Sequence, residues 1–184
     1  MLAVSIAGGA GCSSDGTDRP PDTALPEPSG PYTVNVEPCE SGPKAARGTD
    51  SELPALRLPC LGAGPAIDLA ELGGQPTVVN AWASWCGPCR REMPGMQEVY
   101  QEHGDEVRFL GVSTRDDPRA AAAFVEELGV TYPQVIDQDG QLLRPLAAPG
   151  LPVTLVLDAQ GRVSTKHLGE MQPAQLRAAI ERAR

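Results

Sequence analysis

From Val78 to Pro94 the chain reads VVNAWASWCGPCRREMP. An apolar run (Val78, Val79, Ala81, Trp82) passes directly into Cys86-Gly87-Pro88-Cys89, and a polar, helix-compatible stretch follows. This is the pattern of a buried strand running into the N-terminus of a helix, with two cysteines at the junction. The first turn of a helix has backbone N–H groups without intrahelical partners and carries partial positive charge. A thiolate placed there is stabilised, so its pKa falls below the free value of about 8.5. Cys86 stands at the start of the helix, where it can be exposed. Cys89, one turn on, is within reach of a mixed disulfide formed at Cys86. Pro88 suits a first turn because its φ is already helical and no N–H is needed there. The other uses of such a pair are a structural disulfide or half a zinc site. Zinc asks for a second CxxC or nearby histidines; Cys39 and Cys60 form no such knuckle, and His103 and His167 stand alone.

The motif Trp85-Cys86-Gly87-Pro88-Cys89, with Pro94 behind it, resembles the active site of thioredoxin-fold proteins. The longer run Asn80-Ala81-Trp82-Ala83-Ser84-Trp85-Cys86, with Glu92 and Pro94, is similar to the exported TlpA/ResA-like branch, which includes the DsbE/CcmG proteins of cytochrome c maturation. The resemblance covers Leu53 to the C-terminus. It implies an α/β thioredoxin-like fold: a mixed central sheet flanked by helices, preceded by an N-terminal β-hairpin. It also implies that Pro152 is a cis-proline beside the CxxC. There it would expose the backbone of Leu151 to a substrate strand, which can pair by strand addition; a trans-proline opening a strand is the alternative. Trp85 is expected on the exposed rim in contact with substrate, and Trp82 in the core.

Asn80 takes the place of the buried Asp that accepts protons near the second cysteine in cytosolic thioredoxins, and an amide cannot do this. Glu92, three residues after Cys89, matches the acidic residue that ResA-like proteins keep near their cysteines. A partly desolvated carboxylate has a raised pKa. It would take the Cys89 proton and, by like charge, raise the thiol pKa values. The sequence equally allows a solvated first-turn acid complementing the helix dipole. Arg90 and Arg91 flank the motif, either as supports for a thiolate and for acidic substrates or as solvated surface.

The expected activity is thiol-disulfide exchange, with Cys86 as attacking thiolate and Cys89 as resolving cysteine. The resemblance implies reduction of partner-protein disulfides, for apocytochrome c or a copper-site assembly protein, with a membrane electron donor. An oxidant that introduces disulfides into secreted proteins is the rival, since direction depends on reduction potential, where about 30 mV corresponds to 1.4 kcal/mol. The Gly-Pro between the cysteines, shared with reducing thioredoxins, leans toward reduction. A copper metallochaperone of the SCO type shares this fold but uses CxxxC with a distant His. A peroxiredoxin would want Thr or Ser three residues before its cysteine, where Ala83 stands. No cofactor or metal is called for.

The chain has 184 residues, enough for one domain with a core and a tail. Its net charge of −9 comes without a basic patch, which argues against nucleic acid as a partner. No apolar stretch approaches the roughly 20 residues of a membrane span. Residues 2–11 are small and apolar and end at Cys12, resembling a bacterial lipoprotein leader with Cys12 as the lipidated residue. Two departures are Gly9 in place of the usual Leu and no Lys or Arg ahead of the apolar run. A plain secretory leader and an unstructured tail are the other readings. Residues 13–50 are rich in Pro, Gly, Ser and Asp and read as a disordered tether, with residues 51–184 as the thioredoxin-like domain. The expected location is therefore extracytoplasmic, lipid-anchored to the outer face of the bacterial cell membrane.

Five cysteines is an odd number. It resolves if Cys86 and Cys89 are the redox pair, Cys39 and Cys60 a structural disulfide, and Cys12 is used otherwise. That usage suits an oxidising compartment. Pairing of Cys39 or Cys60 between molecules, or two free thiols, are the alternatives. Within the domain, Leu56–Leu58 and Ala66–Leu69 suggest the hairpin, and Asp68 caps a short helical turn. Val107–Ser113 reads as a second strand. Asp116-Asp117-Pro118 opens a helix that stops at Gly129, Val130–Ile136 reads as a strand, and 142–147 as a short helix. Leu155–Leu157 and Arg162–His167 form a strand pair, and Pro173–Ala183 an amphipathic helix. These elements suggest helices on both faces of the sheet.

Overall fold

The computed structural model describes Met1 and residues 34–40 and 53–184. The leader with Cys12 and most of the Pro-rich stretch lie outside the described residues. The central strand β3 spans Thr77–Trp82 and is buried along its whole length, as its apolar run requires when both faces are covered. Preceding it are the short strands β1 (Arg57–Leu58) and β2 (Ile67–Asp68), which pair antiparallel with Leu58 opposite Ile67. A 3₁₀ turn at Leu69–Glu71 follows, capped by Asp68, whose Oδ1 accepts the Ala70 N–H.

After β3 come α1 (Gly87–His103), β4 (Arg108–Thr114), α2 (Pro118–Glu127), β5 (Gln134–Asp137), β6 (Val153–Leu157), β7 (Val163–Leu168) and α3 (Pro173–Ala183). The sheet order is β5-β4-β3-β6-β7. β3, β4 and β5 run parallel, whereas β6 and β7 are antiparallel to their neighbours, so the sheet is mixed. Side chains alternate across the sheet. Val78, Trp82, Phe109 and Val156 point to the face where Met93, Met96, Phe124, Leu176 and Ile180 pack, so all three α-helices share that face. Val79, Ala81, Leu110, Val112 and Leu155 face the other side, covered by Leu58, Ile67, Leu69, Leu142 and Leu146.

Three expectations change here, the first being that helices lie on both faces of the sheet. Of the helices, only the 3₁₀ turn lies on the second face. Residues 142–147, read as a short helix, form a run of turns instead. Pro145 lacks a donor and disfavours the helical conformation at Arg144, and Ala147 turns to φ +46°. Meanwhile the side chain of Asp137 takes the Gln141 and Leu142 N–H groups. The strand read from Val130 begins only at Gln134, after Pro133.

Residues 34–40, part of the Pro-rich stretch, lie extended against the domain. The Glu37 N–H donates to the Thr131 carbonyl and the Cys39 N–H to the Ala63 carbonyl. Beside them, the Leu61 N–H donates to Gln134 and the Ile136 N–H to Pro59, so residues 59–61 line the β5 edge and satisfy its backbone groups. Cys39 and Cys60 are joined in a disulfide. Gly64 makes room for this: at φ +117° a Cβ there would stand 2.3 Å from the Cys39 carbonyl oxygen.

Candidate active site

β3 delivers the chain to the start of α1, and Cys86 is its N-cap. The Cys86 backbone is extended, and its Sγ accepts the Cys89 N–H at 3.2 Å. That hydrogen bond and the helix start favour negative charge on this sulfur. Cys86 and Cys89 are disulfide-bonded. Cys86 keeps 4% of its surface and Cys89 none, so only Cys86 offers anything to a partner.

The loop before Cys86 is held by a residue that the sequence suggested only as a helix cap. Asp116 accepts the Ser84 N–H at 2.6 Å and the Ser84 hydroxyl at 2.8 Å. The cap of α2 is Asp117, which takes the N–H groups of Arg119 and Ala120. Trp85 is 64% exposed, yet its indole N–H donates to the Arg115 carbonyl at 3.1 Å. Arg115 itself sits at φ +53°. The rim aromatic is therefore tethered to the β4–α2 loop. Trp82, by contrast, is buried, stacks on Phe124 at 5.2 Å and donates to Gln134.

Glu92 is buried, with 3% of its surface exposed. Its Oε1 accepts the Asn80 Nδ2 at 2.9 Å and its Oε2 the Met171 N–H at 2.8 Å. Burial raises its pKa, and the two hydrogen bonds only partly offset this. The group is pushed from its ordinary 4.5 up to about 7. The solvated alternative for Glu92 is thereby excluded. Asn80, unable to act as an acid, holds the acid instead, and its amide also donates to Thr154 in β6.

The Leu151–Pro152 peptide bond is cis. Val153, the next residue, pairs with Ala81 in β3 and with Leu168 in β7. This register places Leu151 and Pro152 at the end of β3 that leads to the cysteines. Leu151 is half-buried, whereas Leu168 is 48% exposed. Trp85 and Leu168 are the large exposed apolar residues among the described residues apart from Met1. Leu168 carried no recognisable signal in the sequence, since an alternating edge strand is expected to show one face to water.

Arg90 and Arg91 are both engaged. The Arg90 guanidinium lies over the Phe124 ring at 4.7 Å and pairs with Glu127, and Arg91 Nε donates to Glu170 at 2.8 Å. His167 Nε2 lies 3.1 Å from the Glu170 carbonyl oxygen, and His103 sits at the far end of α1 beside Arg184. Among the described residues, no three His, Cys, Asp or Glu side chains converge to hold a metal ion. No described helix is long and apolar enough to cross a membrane.

Residues 49–180 match the Redoxin family model. The thiol-disulfide oxidoreductase ResA of Halalkalibacterium halodurans is 31% identical over 109 residues, 59% of this chain and 62% of that protein's length. The thiol:disulfide interchange protein HelX of Rhodobacter capsulatus is 36% identical over 122 residues, 65% of this chain and 68% of that protein. The structure of DsbF from MTB superposes with a TM-score of 0.67 at 27% identity, covering 74% of this chain and 100% of that one. The chain thus belongs to the Redoxin family, in its thioredoxin-fold branch of ResA-, HelX- and DsbF-like thiol-disulfide oxidoreductases.

Proposed function

We propose that this protein reduces disulfides of partner proteins outside the cytoplasm, tethered to the outer face of the membrane through a lipid on Cys12 and fed electrons by a membrane donor. The observation that carries the reaction is the asymmetry of the pair: an N–H-supported Cys86 that is nearly buried yet keeps a sliver of exposed surface, a fully buried Cys89, and the buried Glu92 three residues further along α1. The Cys86 thiolate attacks one sulfur of the partner disulfide, forming a mixed disulfide and releasing a partner thiolate. Glu92 takes the Cys89 proton. Cys89 then attacks Cys86 Sγ, closing the enzyme disulfide and expelling the second partner thiolate, so two electrons pass to the partner. A dithiol donor returns them. Trp85, Leu151 and Pro152 form the docking rim in this reading.

Reduction is favoured over oxidation by charge. A strong oxidant of this class owes its potential to a stabilised reduced thiolate. Here both neighbouring arginines are tied to Glu127 and Glu170, and a carboxylate stands behind the pair. Apocytochrome c and copper-site assembly proteins are the partners the resemblance suggests. Equilibration of the Cys86–Cys89 couple with a glutathione series should give a potential near the thioredoxin value of about −270 mV. A value near the roughly −120 mV of DsbA would reverse the direction. In insulin reduction, Cys86→Ser is expected to abolish turnover and Cys89→Ser to accumulate a mixed disulfide visible by mass. Full turnover by Cys89→Ser would overturn the assignment of roles.

A further inference from the structure

Two adjacent residues of α1 reach two adjacent residues of the turn between β7 and α3. Arg91 Nε donates to Glu170 Oε2 at 2.8 Å on the surface, and the Met171 N–H donates to Glu92 Oε2 at 2.8 Å inside. The turn is braced further: Gln172 Nε2 donates to Glu170 Oε1 at 3.2 Å, and His167 Nε2 touches the Glu170 carbonyl at 3.1 Å. Arg91 is 62% exposed and Glu170 28%, so the pair contributes little to global stability. Its position suggests another use.

We infer that the Arg91–Glu170 ion pair is a latch that keeps the Met171 amide on the buried Glu92, which makes both residues positioning residues for proton transfer at Cys89. The inference rests on the proposed role of Glu92. The groups facing that carboxylate are few. From β3 comes the neutral Asn80 amide, from the β7–α3 turn the Met171 N–H and the charge of Glu170, and from the segment before β5 the buried Tyr132 phenol. The Met171 hydrogen bond favours the carboxylate, whereas the charge of Glu170 disfavours it. Glu170 thus acts on Glu92 in two opposite ways. Removing its charge alone lowers the Glu92 pKa; opening the latch raises it by taking the amide away.

That opposition gives the test. The Glu92 carboxyl is titrated by ¹³C NMR, with exchange of the Met171 amide followed on the same samples, in the wild type, Arg91→Gln, Glu170→Gln and the exchanged pair Arg91→Glu/Glu170→Arg. A latch predicts that the Glu92 midpoint rises in both single variants, by about one unit. It also predicts that Met171 exchanges about tenfold faster in both, and that the exchanged pair, which rebuilds the ion pair, restores the slow exchange without a midpoint above that of the wild type, because a cation at position 170 now favours the carboxylate. A midpoint that falls in Glu170→Gln, or Met171 exchange that stays at the wild-type rate, overturns the latch and leaves only the nearby charge. Neither measurement requires turnover, so the failure of Glu92 as proton acceptor is read separately: Glu92→Gln would then leave the pH–rate profile unchanged.

Discussion

The two disulfides sit in opposite settings. Cys86–Cys89 joins residues 3 apart at the mouth of α1, and Cys39–Cys60 joins residues 21 apart, tying the 34–40 segment to the strip that lines β5. Closing a short loop removes little entropy from the unfolded chain, and closing a longer one removes more. The groups around the sulfurs differ in sign as well. Cys86 Sγ faces a backbone N–H, which welcomes a thiolate. Cys60 Sγ lies 3.0 Å from the Ala63 carbonyl oxygen and Cys39 Sγ 3.4 Å from that of Gln134, and carbonyl oxygens repel one. These surroundings suit the proposed roles, in which the first bond opens and closes and the second stays closed. The difference lies in neighbours and loop length, since the bond itself is the same.

Removing the staple is the most direct way to break this comparison. Cys39→Ala/Cys60→Ala is expected to lose about 3 kcal/mol of stability, the chain-entropy value for a loop of this size. Insulin reduction should stay within about twofold of the wild type, as for changes remote from a site. Urea unfolding and initial rates on the same preparation check both. Lost turnover with native-like folding would mean that the second disulfide takes part in the redox cycle.

An effect of similar size sharpens the active-site half of the comparison. The folded pKa of Glu92 is about 7 against an ordinary 4.5. Between these values the folded protein holds a proton that the unfolded chain has released. Stability therefore falls as pH rises from about 4.5 to about 7 and is flat, for this group, above that. At about 1.4 kcal/mol per pKa unit, the loss is about 3 kcal/mol. Urea midpoints of oxidised protein at pH 4.5 and pH 8 should show that loss in the wild type. The same pair of measurements on Glu92→Gln should not. Equal pH slopes for the two proteins would return Glu92 to the solvent.

Much of this was legible in the chain. The apolar run into Cys86, the Gly-Pro between the cysteines and Pro94 specify strand, turn and helix locally, so β3 and α1 follow from short-range pattern. Pro152 was legible through its resemblance to a family position. What was not legible depends on tertiary neighbours. Asp116 and Asp117 offer two caps to one helix, and nothing local says that the first turns back to Ser84. The burial of Glu92 is decided by the Met171 amide, 79 residues on, so the sequence left its two readings level. Residues 142–147 carry a helical apolar spacing, but Pro145 and the Asp137 side chain override it. The arginines beside the motif could be read as free cations only because Glu127 and Glu170 are distant in sequence.

The smallest expected effect concerns the rim. Trp85 is exposed and has its indole N–H on the Arg115 carbonyl, so truncation removes one neutral hydrogen bond and little buried area. Surface changes of this kind move stability by about 0.5 kcal/mol or less. A partner protein docking beside Cys86 would nevertheless lose a large apolar contact, and an aromatic at an interface is commonly worth 1 kcal/mol or more. Trp85→Ala should therefore raise KM for a protein disulfide by about fivefold to tenfold with kcat nearly unchanged, the signature of lost uniform binding. A small-molecule disulfide that needs only the Cys86 sulfur should be reduced at the wild-type rate. Trp85→Phe keeps the ring and loses the N–H, so it separates contact from tethering: recovery of KM assigns the effect to apolar area, whereas a KM as high as that of alanine assigns it to the bond that fixes the indole. If KM for the protein substrate is unchanged in Trp85→Ala, docking does not use this side of the site, and the apolar rim is reduced to Leu151 and Leu168.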